Sequence, residues 1–76
     1  MKLNELFAKA LRDKPDNISD ATSRDNHRRW DSFTHVQLIV MVENTYKVKF
    51  SNAEIERVRS IAELKTVLAE KGVEAN

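Results

Sequence analysis

The chain has 76 residues, enough for one domain with one modest core, because a chain this short buries only ~60% of the surface its unfolded form exposes. It has no cysteine, which excludes disulfide staples and thiolate metal sites, and its formal net charge of +1 lacks the positive excess of a dedicated nucleic-acid binder. Hydrophobic residues at 41% beside charged residues at 33% describe an ordinary globular domain rather than a disordered tail.

The start, Met1 to Leu6, holds an early Glu5 and no continuous apolar block, unlike a secretory signal. The longest apolar run, Leu38 to Val42, is five residues, far below the ~20 that a membrane-spanning helix requires. No membrane span is expected, and the cytoplasm is the expected location. Asn17-Ile18-Ser19 matches a glycosylation sequon that, without a secretion signal, is accidental. The leading methionine and compact ends point to a whole protein of one domain, residues 1–76, rather than a piece of a larger synthase.

One glycine and one proline argue for helices over an all-β fold. Leu3, Leu6, Phe7, Ala10 and Leu11 recur at helical spacing and predict a first amphipathic helix over residues 2–13, closed by Pro15. Residues 16–29 carry no clean period and many turn formers. They predict a long loop with one short turn, anchored by Ile18, and a loop of that length is functional or pinned by its own contacts. A second helix starts with Asp31 as N-cap, or with Ser32 if the boundary slips by one. Phe33, Val36, Ile39, Val40 and Glu43 follow at helical intervals, and Leu38, Met41 and Val42 widen the apolar band. A helix apolar on most sides is expected to lie buried between its neighbours.

Tyr46, Val48 and Phe50 alternate with Lys47 and Lys49, which predicts a short extended link with the aromatics turned inward. Ser51 and Glu54, then Ser60 and Glu63, form two capping-box patterns. The first opens a short helix carrying Ile55 and Val58. The second opens a helix with Ile61, Leu64, Val67 and Leu68 on one face, stopping near Gly72. The expected fold is an all-α bundle of three main helices and one short one, with the longest loop between the first two.

The question of chemistry centres on Trp30-Asp31-Ser32-Phe33. Ser32 and His35 share a helical face beside Asp31, but three side chains on one turn cannot supply a base bonded to the hydroxyl, an orienting acid and an oxyanion site. Hydrolysis is therefore not expected. His27 and His35 lack a third metal ligand at a credible spacing, and His35 is expected to face solvent. The first turn of a helix does welcome an anionic phosphate, through its free N–H groups and the positive end of the dipole. A serine there is either a plain cap or a place where a phosphorylated group is attached.

From about Ile18 to Gly72 the chain resembles the acyl carrier proteins, the four-helix family that also includes peptidyl and D-alanyl carriers. The family's Asp-Ser-Leu motif at the start of the second helix matches Asp31-Ser32-Phe33, followed by Val36, Leu38, Ile39 and Glu43. Tyr46 to Phe50, the Glu54-Ile55 helix and Ser60-Ile61 fit the downstream pattern.

The resemblance implies that Ser32 carries covalent 4′-phosphopantetheine, with Asp31 as motif residue and helix cap. The arm's thiol holds an acyl or aminoacyl thioester, and the protein itself catalyses nothing. Implied partners are a phosphopantetheinyl transferase, an acyl-loading ligase or transferase, and a downstream acyltransferase or synthase, all acting on a monomer. Phe33, Val36, Gln37, Glu43, Arg28 and Arg29 are the candidate partner-binding residues. Val36, Val40 and Ile55 are candidates to line a cargo space between the second and third helices, where each buried methylene gains ~0.8 kcal/mol.

Three departures stand out. Phe33 replaces the usual leucine, and Arg29-Trp30 stands where glycine is common. Thr34, His35, Gln37 and Asn44 occupy places where housekeeping carriers present acids. Together with the basic segment from Arg24 to Arg29, they point to a carrier for a specialised pathway. The alternatives are a general fatty-acid carrier and, from a different class, a helix-turn-helix module using Arg24, Arg28 and Arg29 on phosphates. The apolar second helix speaks against the latter.

Overall fold

The computed structural model describes residues 2–73. Met1 and residues 74–76, and with them the expectation of compact chain ends, lie outside the described residues. The fold is all helical, in the order α1 (Lys2–Leu11), α2 (Ser32–Tyr46), α3 (Asn52–Arg57) and α4 (Ile61–Glu70), with a single 3₁₀ turn at Pro15–Asn17. Three main helices and one short one are what the periodicity predicts.

The core is built from one stripe of each long helix: Leu3, Phe7 and Leu11 of α1, Leu38, Ile39 and Val42 of α2, and Ile61, Leu64, Val67 and Leu68 of α4. Ile18 and Trp30 close it from the long loop, and Phe50 and Val58 close it on either side of α3. Phe7 meets the Trp30 ring edge-on, with centroids 5.2 Å apart, which fixes the end of the loop against α1.

Several boundaries differ from expectation. Helix α1 stops at Leu11, short of residue 13 and of Pro15, because Arg12 turns left-handed (φ 57). Asp13 N–H then bonds Ala8 C=O at 2.9 Å, the wrap that closes a helix C-terminus. Pro15 instead opens the 3₁₀ turn, where its fixed φ suits the first position. Helix α2 runs on through Tyr46, which was expected in the extended link, and ends at Lys47 in the left-handed region (φ 59). Only then does the chain extend, with Phe50 turned inward.

Nor is α2 buried all round. Its apolar residues fall on two faces, so His35, Leu38, Ile39 and Val42 are buried while Phe33, Val36 and Val40 are 72%, 58% and 47% exposed.

The long loop is pinned by its own contacts. Asn26 bridges it internally, accepting from Ser23 N–H at 2.9 Å and donating to Ala21 C=O at 2.8 Å. A short antiparallel bridge joins Ser23 to Ser60, flanked by Arg24 N–H to Arg59 C=O and Ile61 N–H to Thr22 C=O. Ser51 and Glu54 form a complete capping box. Ser60 caps α4 by accepting from Glu63 N–H at 3.2 Å, and the reciprocal bond is absent among the described residues.

Asp13 anchors the loop's beginning. Its carboxylate accepts from Asn17 Nδ2, pairs with His27 Nε2 at 3.0 Å and accepts from Lys14 N–H, and these contacts, the Asn17 bond foremost, pull its pKa from 3.8 to about 2. The folded chain thus takes up this proton less readily than the unfolded one, so the carboxylate stabilises the fold above about pH 4, and the contribution is lost as pH falls towards 2. Asp13→Asn is expected to flatten the pH dependence of urea unfolding in that window while changing stability less than a core deletion. Leu64→Ala, in the fully buried stripe of α4, is expected to remove roughly 3 kcal/mol from a total on the order of 5–10 kcal/mol, read from the denaturation midpoint.

Candidate functional site

The site is the N-terminus of α2 and the turn that delivers the chain to it. Asp31 is the N-cap, extended at φ −96, and its Oδ1 accepts Thr34 N–H at 2.8 Å. That bond is the leading cause holding the Asp31 carboxyl below the ordinary carboxylate range, so it is ionised at neutral pH. Because Asp31 caps the helix, Ser32 does not. Ser32 is the first helical residue, exposed, and its hydroxyl makes no hydrogen bond among the described residues. A free hydroxyl at the positive end of a helix is the chemistry that attachment of a phosphate-linked group needs, and nothing in the fold has to be displaced to reach it.

What holds this corner in place is Trp30, nearly wholly buried. Its indole N–H donates to His35 Nδ1 at 3.0 Å, and His35 Nε2 lies 2.8 Å from Ile55 C=O on α3. The indole only donates and the carbonyl only accepts, so the imidazole is the neutral Nε2–H tautomer. The two rings stack, with centroids 6.1 Å apart.

His35 is therefore not solvent-facing as the sequence predicts; it is 5% exposed. The physical reason is its register: positions 35, 38, 39 and 42 share the inward face of α2, and the ring's two nitrogens both find partners there. Its role was missed, although that spacing, together with the need of a buried indole for an acceptor, was a readable signal.

The remaining predicted residues divide between the outer surface and internal structure. Phe33, Val36 and Gln37 are exposed on the outer face of α2, reached directly from Ser32. Val36 and Val40, expected beside a cargo space, are half-exposed and lie outside the buried stripe of α2. Ile55 is half-buried against the core. Glu43, predicted to meet partners, accepts Phe50 N–H at 2.8 Å through Oε2 and so fastens the α2–α3 link.

Arg28 and Arg29 stand on the turn before Trp30 and line a groove of about 460 Å³ with Arg12, Asp31, Phe33 and Gln37. Arg29 Nη1 donates to Arg12 C=O at 3.0 Å, across from the end of α1. Arg12 was not anticipated: only the fold brings residues 12 and 29 together. Among the described residues no cluster of three or more metal-ligating side chains occurs, and no helix is long and apolar enough to cross a membrane.

Trp30→Phe keeps the ring against Phe7 but leaves His35 Nδ1 without its donor, and is expected to cost about 1–2 kcal/mol. His35→Ala removes both bonds and the buried ring and is expected to cost more, roughly 3 kcal/mol, whereas Asp31→Ala loses only the cap, about 1 kcal/mol. Urea midpoints at unchanged slope check this order.

No protein-family model and no curated protein matches the chain. Among solved structures it is similar to the solution NMR structure of a holo acyl carrier protein from Geobacter metallireducens, with 28% sequence identity and a TM-score of 0.80 over 92% of this chain and 80% of that one. By its helix order and backbone, the chain has the acyl carrier protein fold.

Proposed function

We propose that the protein is a carrier that holds an acyl or aminoacyl group as a thioester on 4′-phosphopantetheine linked to Ser32, and that it catalyses no reaction of its own. The observation that carries this reading is the uncommitted, exposed Ser32 hydroxyl on the first turn of α2, capped by Asp31, in a fold shared with a holo carrier. When bound, the arm supplies the thiol that this cysteine-free chain lacks.

The chain's own residues supply the setting. Asp31 takes the Thr34 N–H and leaves the serine oxygen open to solvent and to a transferase. The end of the α2 dipole favours the phosphate's negative charge. The Trp30–His35–Ile55 connection keeps the attachment point at a fixed place on the domain, so that motion belongs to the arm.

The finer reading is a monomeric, cytoplasmic domain spanning residues 1–76 that serves a specialised pathway, loaded by a dedicated ligase or transferase and unloaded by an acyltransferase or synthase. It is supported by the outer face of α2, where Phe33, Val36, Gln37 and Val40 present apolar and uncharged groups. Glu43, the one acid within α2, is engaged with Phe50.

Intact mass spectrometry after incubation with coenzyme A and a phosphopantetheinyl transferase is expected to show one added arm on the wild type and none on Ser32→Ala; an unmodified wild type defeats the carrier reading. Expressed in a strain depleted of its fatty-acid carrier, the chain is expected not to restore growth. Full rescue would show that it serves general fatty-acid synthesis.

A further inference from the structure

The cations of this protein are unequally employed. Those of the α3–α4 end have carboxylate partners: Arg57 with Glu70 at 3.0 Å, Arg59 with Asp25 at 3.7 Å, Lys65 with Asp20 at 2.7 Å and Lys71 with Glu54 at 2.8 Å. Arg12, Arg28 and Arg29, all exposed, form no ion pair among the described residues, yet they converge on one groove that begins beside Ser32. They come from two separate places, the left-handed close of α1 and the turn before Trp30, and the Arg29 bond to Arg12 C=O holds those places together. The same three arginines also border a second recess of about 300 Å³ that reaches Asp13 and His27.

Two carboxylates border these recesses, and neither forms an ion pair with the arginines among the described residues. Asp31 is engaged by Thr34 N–H, and Asp13 by Asn17, Lys14 and His27. Phe33 stands on the rim of the groove with most of its ring in water, and Val36 and Val40 extend the apolar stripe from it. An apolar anchor set beside desolvatable, unpaired guanidinium groups is the make-up of an interface centre, and its complement is an apolar pocket bordered by carboxylates. The concave form of the groove fits an inserted protein edge better than a flat lipid surface.

We propose that the Arg12–Arg28–Arg29 groove with Phe33 is the docking surface for the enzyme that modifies Ser32, and that this enzyme presents an apolar pocket with an acidic rim. The proposal rests on the carrier reading: an enzyme that brings its active site to the Ser32 oxygen must cover the residues flanking it, and Asp31 and Phe33 are walls of this groove. Opposite charges steer the encounter, so the effect falls mainly on association and weakens with salt.

The test is the rate of arm transfer from coenzyme A to Ser32 by the phosphopantetheinyl transferase of the protein's own cell, followed by intact mass. Arg28 is the cleanest probe, since its side chain makes no bond within the described fold, and Lys49, beside the far end of α2, is the control. At low ionic strength Arg28→Glu is expected to lower kcat/KM about tenfold through KM, and Arg12→Glu similarly, with Lys49→Glu near wild type. Added salt should slow the wild type and close the gap.

Arg28→Glu and Arg12→Glu variants as fast as the wild type, or a wild type accelerated by salt, would overturn the docking proposal while leaving the carrier reading intact. Flotation of the protein with phosphatidylglycerol vesicles, abolished by Arg28→Glu while arm transfer is unchanged, would assign the groove to lipid and overturn it as well. A wild type that takes no arm defeats both readings together.

Discussion

The connection from Trp30 through His35 to Ile55 is the constraint on which the working end of this domain depends. Three segments that share no regular secondary structure meet there: the end of the long loop, the first turn of α2 and the short helix α3. Each bond is made by a group that would otherwise be buried without a partner, so the cost of breaking the chain of contacts exceeds the modest net value of making it. Ser32 sits two residues from Trp30 and three from His35. Its position in space is thus set by a buried polar contact and by the Phe7–Trp30 ring pair rather than by the exposed residues around it.

Helix α2 reconciles two demands by giving each its own face. The inward register supplies His35, Leu38, Ile39 and Val42 to the core, and the outward register leaves Phe33, Val36 and Val40 uncovered. Its N-cap acid and its one internal acid serve the fold: Asp31 fastens the helix start, and Glu43 fastens the chain that follows the helix. The surface near Ser32 is left with apolar side chains and arginines, which sets the character of whatever approaches it.

Much of this was legible in the sequence. Periodicity located all four helices, because amphipathic stripes and serine caps are local signals. The Asp31 cap and the resemblance that made Ser32 notable rested on adjacent residues. What escaped was tertiary. The apolar breadth of α2 looked like burial, since a hydrophobic band does not say which of its edges a partner covers. His35 looked like a surface residue until its register with Leu38 and Val42 was matched to acceptors and donors on other segments. Arg12 had no sequence signal at all, because its place beside Arg29 comes from the left-handed close of α1.

Helix α3 is six residues long and has no fully buried side chain within its span. Apart from Ile55, half-buried against the core, its attachments are the His35 bond and two ion pairs to the α4 end, Arg57 with Glu70 and Glu54 with Lys71. Exposed ion pairs of this kind add little stability and weaken with salt. The amide protons of α3 are therefore the ones expected to exchange with solvent before those of α1 and α4.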